Sequence, residues 1–497
     1  MHRAAGILLH PTALSGEYGV GALGEEARNF IDFLVNAGQS VWQILPLGPT
    51  GYGNSPYNAL SAFAGNPNLI DLENLTVCGD LSIEELAPLR QHQGQQVDFE
   101  HLNSIKPRLL TKAADNFLRI GNRERQQAFT DYCASQSAWL DDFALFMALR
   151  EKFSGQSWNC WPDALRQRDP TALKQGRREL CVELQRHRYQ QFIFAEQWRE
   201  LKRYANAQGI QIFGDIPIFV AYDSADVWAN QHLFQLDAAG NPTAVSGVPP
   251  DYFSATGQRW GNPLYRWERL QEDDFAWWLA RLHYHLEQAD MIRIDHFRGF
   301  EACWSIPADE KTAVKGHWEK VPGQQLFDRF CKEQPHPPII AEDLGIITPE
   351  VEALRDRFDF PGMKILQFAF DSGPDNPYLP RNHTTNSVVY TGTHDNNTTL
   401  GWWRGLDRHA KDQVRAHLNC KRPKMPWDLI CTALSSSSDL CIAPLQDILA
   451  LDGKARFNTP GQASGNWAWR IPPKSLTYEL AQQLLEVTQK YRRLPDR

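Results

Sequence analysis

The run "MIRIDHFRGF" sets Arg293, Asp295, His296 and Arg298 within a few residues, and its first half reads as a buried strand. Charge in such a strand costs free energy unless it is paired and hydrogen-bonded, so these residue types point to chemistry. Side chains alternate along a strand: Ile292 and Ile294 share one face, and Met291, Arg293 and Asp295 share the other. The same parity in "IIAED" brings Glu342 to its strand's end, Asp215 closes "IQIFGD", and Asp395 follows "SVVYTGTH". Carboxylates crowded together raise one another's pKa, and a cation on the same face as Asp295 holds that group as an anion. An ionised carboxylate beside a carboxyl of raised pKa is the requirement for retaining glycoside cleavage, one attacking and the other moving the proton.

Each acid alone has a plainer reading. An aspartate after a strand often caps the next helix, Glu342 and Asp343 fit a simple turn, and His296 and His394 suit hydrogen-bonding loop positions. The convergence of four acids on one rim is what favours catalysis. A metal site is the chemical rival, but the chain has no HExxH, no HxH after a first strand, and no ligand-like histidine spacing.

Positioning these acids requires a parallel sheet. Helix-like "EEARNFIDFLVNAG" feeds "SVWQILPLG", "FAEQWRELKRYANAQG" feeds "IQIFGDIPIFV", and "FAWWLARLHYHLEQA" feeds "DMIRIDHFRG". "LFDRFCKEQ" then feeds "PPIIAEDLG", and "TPEVEALRDRF" feeds "PGMKILQFAF", with Thr348 as N-cap and Pro349 at the first helical position. "SVVYTGTHD" and "LCIAPLQDIL" add two strands. Seven or eight such units favour a closed (β/α)8 barrel over an open sheet, with loops after the strands building the site. One catalytic barrel is expected over residues 1–497, with a helical insertion at about 74–188 and a loop-rich one at about 221–269, near the barrel mouth. No phosphate-binding P-loop is present.

The formal charge of −8 comes without a long basic run, which argues against a nucleic-acid partner. Nine cysteines without a CxxC pair suit reduced thiols and a cytoplasmic location. "AAGILL" near the N-terminus is too short for a leader segment, and no stretch has the length of a membrane span.

Eight segments in order carry a family resemblance: "GILLHPTALSGEYGVGALG", "SPYNALSAFAGNP", "FGDIPIFV", "GVPPDYFSATGQRWGNPLY", "IRIDHFRGF", "AEDLG", "GTHDNNTT" and "NTPG". Together they resemble the 4-α-glucanotransferases (amylomaltases or disproportionating enzymes), relatives of the α-amylases. The resemblance implies a cofactor-free double displacement on α-1,4-glucans, with transfer to an acceptor glucan or glucose and cyclic products from amylose. It implies Asp295 as nucleophile, Glu342 as acid/base, and Asp395 as the carboxylate that bonds the donor sugar. Tyr57, Asp215, Arg293 and His394 would line the donor site, and His296, with Asn458 and Pro460 from the "NTPG" loop, would also bind substrate. Tyr252, Gln258 and Trp260 would form a mobile acceptor-side loop. The Asn-His pair that many α-amylases carry after the third strand is missing from "DIPIFVAYDSAD", which argues against a calcium site. Phe457 stands where many members have Met, a change expected to alter how a long glucan meets the loop. An α-glucan hydrolase and a non-catalytic glucan-binding barrel are the competing readings.

Overall fold

The computed structural model describes residues 3–90, 94, 96–251 and 254–495. The strands among them are β1 Ala4–Leu8, β2 Val41–Gln43, β3 Gln211–Pro217, β4 Ala244–Val248, β5 Gln258–Pro263, β6 Met291–Asp295, β7 Ala302–Pro307, β8 His317–Lys320, β9 Ile339–Ala341, β10 Gly362–Ile365, β11 Ser387–Tyr390 and β12 Leu440–Pro444. Eight form one parallel sheet in the order β10-β11-β12-β1-β2-β3-β6-β9. The Ala341 amide of β9 donates to the Pro361 carbonyl just before β10 (2.9 Å), so the two edges meet and the sheet closes. This is the (β/α)8 barrel that the helix–strand repeat predicts.

The outer helices follow from the apolar periodicity. Glu25–Asn36 buries Ala27, Phe30, Ile31, Phe33 and Leu34 along one stripe, with Glu25 and Glu26 at the positive end of its dipole. It stops at Gly38, whose φ of 68° is the left-handed conformation that a glycine adopts without a Cβ clash. Cys181–Ala207, Ala276–Gln288, Gly323–Glu333 and Pro349–Arg357 precede β3, β6, β9 and β10 in the same way. Between β10 and β11 the described residues hold only short 3-10 turns, Leu366–Phe368 and Pro380–Asn382, so the repeat is incomplete there.

Two segments differ from the sequence reading. "AAGILL" supplies β1, which pairs with both β12 and β2 and so lies inside the barrel wall. The stretch expected to be loop carries β4 and β5, which join β7 and β8 in an antiparallel sheet ordered β5-β4-β7-β8. Gly247 explains the loop-like composition: a Cβ there would meet the Gln258 carbonyl oxygen at 2.2 Å, so the two strands approach only because the residue is glycine. Upstream, Phe99–Ile120, Arg123–Ser135, Ser137–Lys152 and Pro170–Glu179 are helical, and among the described residues no strand falls between Gln43 and Gln211. Phe117 and Phe146 from these helices share one continuous apolar core with Trp42 and Ile292 of the barrel.

Candidate active site

Strand register brings the first cluster together. Asp215 of β3 lies opposite Arg293 of β6, and both point into the barrel, as the alternation requires. Arg293 donates from Nη1 to Asp215 Oδ2 (2.5 Å) and from Nη2 to Asp295 Oδ1 (2.6 Å). Tyr57, on the loop after β2, donates its hydroxyl to the same Asp215 oxygen (2.6 Å). Exposure separates the two acids: the Asp215 side chain is 0% exposed and that of Asp295 31%. Asp295 can therefore meet a ligand, whereas Asp215 anchors the guanidinium from below. Burial outweighs Arg293 and lifts the Asp215 carboxyl to about 7.

Ile294 pairs with Ala341, so Asp295 and Glu342 follow one another around the rim on adjacent strands. Glu342 accepts the His296 amide at Oε2 (2.6 Å) and the Leu344 amide at Oε1 (3.0 Å). His296 takes a left-handed φ of 55° at this turn, an uncommon conformation for a residue with a Cβ and a form of strain that gathers at functional sites. Both amides favour the Glu342 anion. Burial, reinforced by the charge on Asp295, overrides them and pushes the carboxyl up to about 8. Its neighbour Asp343 points the other way along the chain, where it accepts the Met363 amide (2.7 Å) and pairs with Arg355 (2.5 Å). Asp343 is thus a brace for β10, and the turn reading fits it but not Glu342.

The third acid follows β11, two strands on from Glu342 around the rim. Asp395 Oδ1 accepts Asn458 Nδ2 (2.6 Å) and lies 3.3 Å from His394 Nε2. Burial lowers the His394 pKa although Asp395 pulls it the other way, so the ring is neutral near pH 7. Tyr57 stacks on His394 with centroids 5.0 Å apart and planes 13° apart, which ties this acid to the Arg293 cluster.

On β5, Trp260 donates its indole N–H to Gln258 Oε1 (3.2 Å) and sets its ring edge-on to His296 (4.7 Å). It remains 40% exposed, so an apolar face beside the acids is open to a ligand. Pro460 is exposed two residues past Asn458. Tyr252 lies outside the described residues. Phe457 is buried and packs edge-on to Trp467 (5.5 Å), so it shapes the loop from beneath and does not itself offer a surface to a glucan. Sequence reasoning missed Trp467, which also flanks Tyr57 and His394 at 6.0 Å, and Arg456, which donates to the Asp395 carbonyl (2.5 Å). Arg456 stands two residues before Asn458 and could have been singled out with it; nothing in the sequence marks Trp467. Among the described residues no group of three or more His, Cys, Asp or Glu is arranged to hold a metal ion.

A parallel barrel that gathers accessible carboxylates around one buried arginine at its C-terminal rim defines a barrel of the glycoside-processing class. Within it, the chain belongs to the family described as 4-alpha-glucanotransferase, which matches residues 9–477. It is 50% identical over 500 residues to a 4-alpha-glucanotransferase of Thermus thermophilus, covering 99% of each chain. A 4-alpha-glucanotransferase of Synechocystis is 49% identical over 495 residues, covering 99% of this chain and 98% of the other. Among solved structures, the amylomaltase of Streptococcus agalactiae in complex with acarbose superposes with a TM-score of 0.96 at 39% identity, covering 99% of this chain and 100% of that one.

Proposed function

We propose that this protein transfers a segment of an α-1,4-glucan from a donor maltooligosaccharide to the 4-hydroxyl of an acceptor glucan or glucose, with retention of configuration. Asp295 attacks the anomeric carbon while Glu342 protonates the leaving glycosidic oxygen. Glu342, now a carboxylate, then takes the proton from the acceptor hydroxyl as that oxygen displaces Asp295. Asp395, backed by Asn458 and His394, bonds the donor sugar. Tyr57, Asp215 and Arg293 hold the nucleophile and the base of that subsite, while Trp260, Gln258 and Tyr252 receive the acceptor. The observation that carries this reading is the pairing of opposites at adjacent strand ends: Asp295 held at 2.6 Å by a buried arginine, beside a Glu342 carboxyl raised to about 8. At neutral pH that set holds both an attacking anion and a proton donor.

The expected glucan partners are linear α-1,4 chains, with cyclic products from amylose. No helix among the described residues is long and apolar enough to cross a membrane. All nine cysteines are free thiols, which supports a reducing, cytoplasmic setting. We read the helices at about 74–188 as an insertion before β3, in a single catalytic unit that spans the chain.

Maltotriose gives a direct test, because a transferase converts it to a ladder of longer and shorter sugars and a hydrolase only shortens it. With an activated glycosyl fluoride, which needs little acid help in the first step, Glu342→Gln should accumulate covalent sugar on Asp295. Mass spectrometry of the peptide containing Asp295 reads this out. A label on Glu342 or Asp395 would overturn the assignment.

A further inference from the structure

The two ends of the turn that carries His394 and Asp395 meet on a single buried carboxylate. Thr391 follows β11 directly and Thr399 opens the helix Thr399–Gly405, so residues 391–399 span the connection. Asp447, just past β12, accepts the Thr391 hydroxyl at Oδ2 (2.6 Å). The Thr399 hydroxyl shares that oxygen (2.6 Å), and the Thr399 amide donates to Oδ1 (2.7 Å). Asp447 is 1% exposed and both threonines 0%. Within the turn the bonds run on to the acid. The Thr393 hydroxyl accepts the Asp395 amide (3.3 Å) and donates to Asn396 Oδ1 (2.9 Å), which also accepts the Thr393 amide (2.8 Å). The Asp395 side chain, 46% exposed, thus projects from a turn whose base is fixed at both ends.

Burying a carboxylate costs free energy, and burial raises the Asp447 pKa although its hydrogen bonds favour the anion. An apolar side chain of similar size would fill the same space without that cost. What two acceptor oxygens add is direction, because each fixes where its donors lie and so sets the span between Thr391 and Thr399. We propose that Asp447 is a positioning residue that, by clamping Thr391 and Thr399, sets the orientation of Asp395 toward the donor sugar. The proposal rests on the reading of Asp395 as the carboxylate that bonds that sugar. Displacing a catalytic group by about 1 Å costs up to roughly a hundredfold in rate, so a clamp remote from the substrate is felt in kcat.

The experiment measures kcat with an activated maltosyl fluoride donor, on variants shown to be folded by circular dichroism. Asp447→Asn replaces one acceptor oxygen with an N–H group that faces donors, and it should lower kcat about tenfold. Thr391→Val removes one hydroxyl at nearly constant shape, should lower kcat by a similar factor, and decides the question alone if Asp447→Asn does not fold. Thr391→Ser keeps the hydroxyl and should recover kcat to within about twofold of wild type. The same substitutions in an Asp395→Asn background should cost less than about twofold further, since the group they orient is already lost. Wild-type kcat in Thr391→Val, a serine variant as slow as the valine one, or a tenfold cost repeated in the Asp395→Asn background would overturn the clamp. Asp395→Asn by itself separates the two ideas. If it keeps wild-type kcat, the reading of Asp395 fails; if it loses kcat while Thr391→Val does not, the clamp alone fails.

Discussion

Glu342 carries a tension that pH can expose. Its folded pKa of about 8 lies above the ordinary carboxyl value of 4.5, because burial and the Asp295 charge both disfavour its anion. In the proposed mechanism turnover begins with Glu342 protonated, so the rate should fall as pH rises through about 8. Arg293 is a cation that lowers this pKa, so Arg293→Gln should move the alkaline limb upward while greatly reducing kcat. A limb that stays in place in a folded variant would mean that Arg293 serves only to hold the barrel wall. The same shift has a stability consequence. Between pH 4.5 and about 8 the folded state binds more protons at Glu342 than the unfolded state, so this group's contribution to stability falls as pH rises through that window. Glu342→Gln, which is never charged, should therefore melt higher than wild type at pH 8, with the difference vanishing near pH 4. Melting curves at the two pH values check this, and a variant less stable at pH 8 would count against the raised pKa.

At the scale of elements, what the sequence revealed was whatever obeys a local period. Strand alternation was enough to turn Arg293, Asp295 and Glu342 inward, since each sits in a short apolar run with one parity. It also separates Glu342 from Asp343, once the structure shows Asp343 accepting the Met363 amide. What stayed hidden depends on contacts between distant segments. Asn458 meets Asp395 across 63 residues of chain, and no periodicity connects them. The β4–β5 pair was hidden because Gly247 lets the strands approach closely, and glycine reads as loop. That small sheet bears on the proposed function, because β5 presents Trp260 from a paired strand next to His296. A ring held this way should stack an acceptor glucose and keep it near the intermediate on Asp295. Trp260→Ala should raise the ratio of hydrolysis to transfer about tenfold, the loss of roughly 1.4 kcal/mol of acceptor binding. Reducing-end release measured alongside transfer products on maltotriose decides it; an unchanged ratio would leave Trp260 as scaffold.

At the scale of the whole molecule, the barrel's seam is held by the far end of the chain. Arg493 is completely buried, and its five N–H groups all find backbone carbonyls. Nε donates to Leu434 (2.7 Å), Nη1 to Ala4 and Asp439 (both 2.9 Å), and Nη2 to Ser436 (3.0 Å) and Ser438 (2.8 Å). Ala4 opens β1 and Asp439 precedes β12, so one guanidinium spans the junction of the barrel's first and last strands. Arg493 sits in the charged stretch "KYRRLPDR", whose composition reads as a solvated tail, which is why nothing local announced this clasp. Burial lowers its pKa, yet guanidinium is basic enough to remain charged, so the desolvation it suffers is offset by five charge-assisted bonds. Replacing it with methionine would keep much of the volume and remove all five bonds; the Asp439 carbonyl would keep the Ala4 amide, and the Leu434 carbonyl Arg3, as donors. Arg493→Met should therefore destabilise the protein by about 3–5 kcal/mol, and Arg493→Lys, with three donors on a flexible stem, by less. Denaturant midpoints for the three proteins measure the ranking. Because the acids lie at the opposite, C-terminal ends of the strands, the variants should keep wild-type kcat at temperatures where they remain folded. A methionine variant within about 0.5 kcal/mol of wild type would show that the seam is held by the β1–β12 ladder alone.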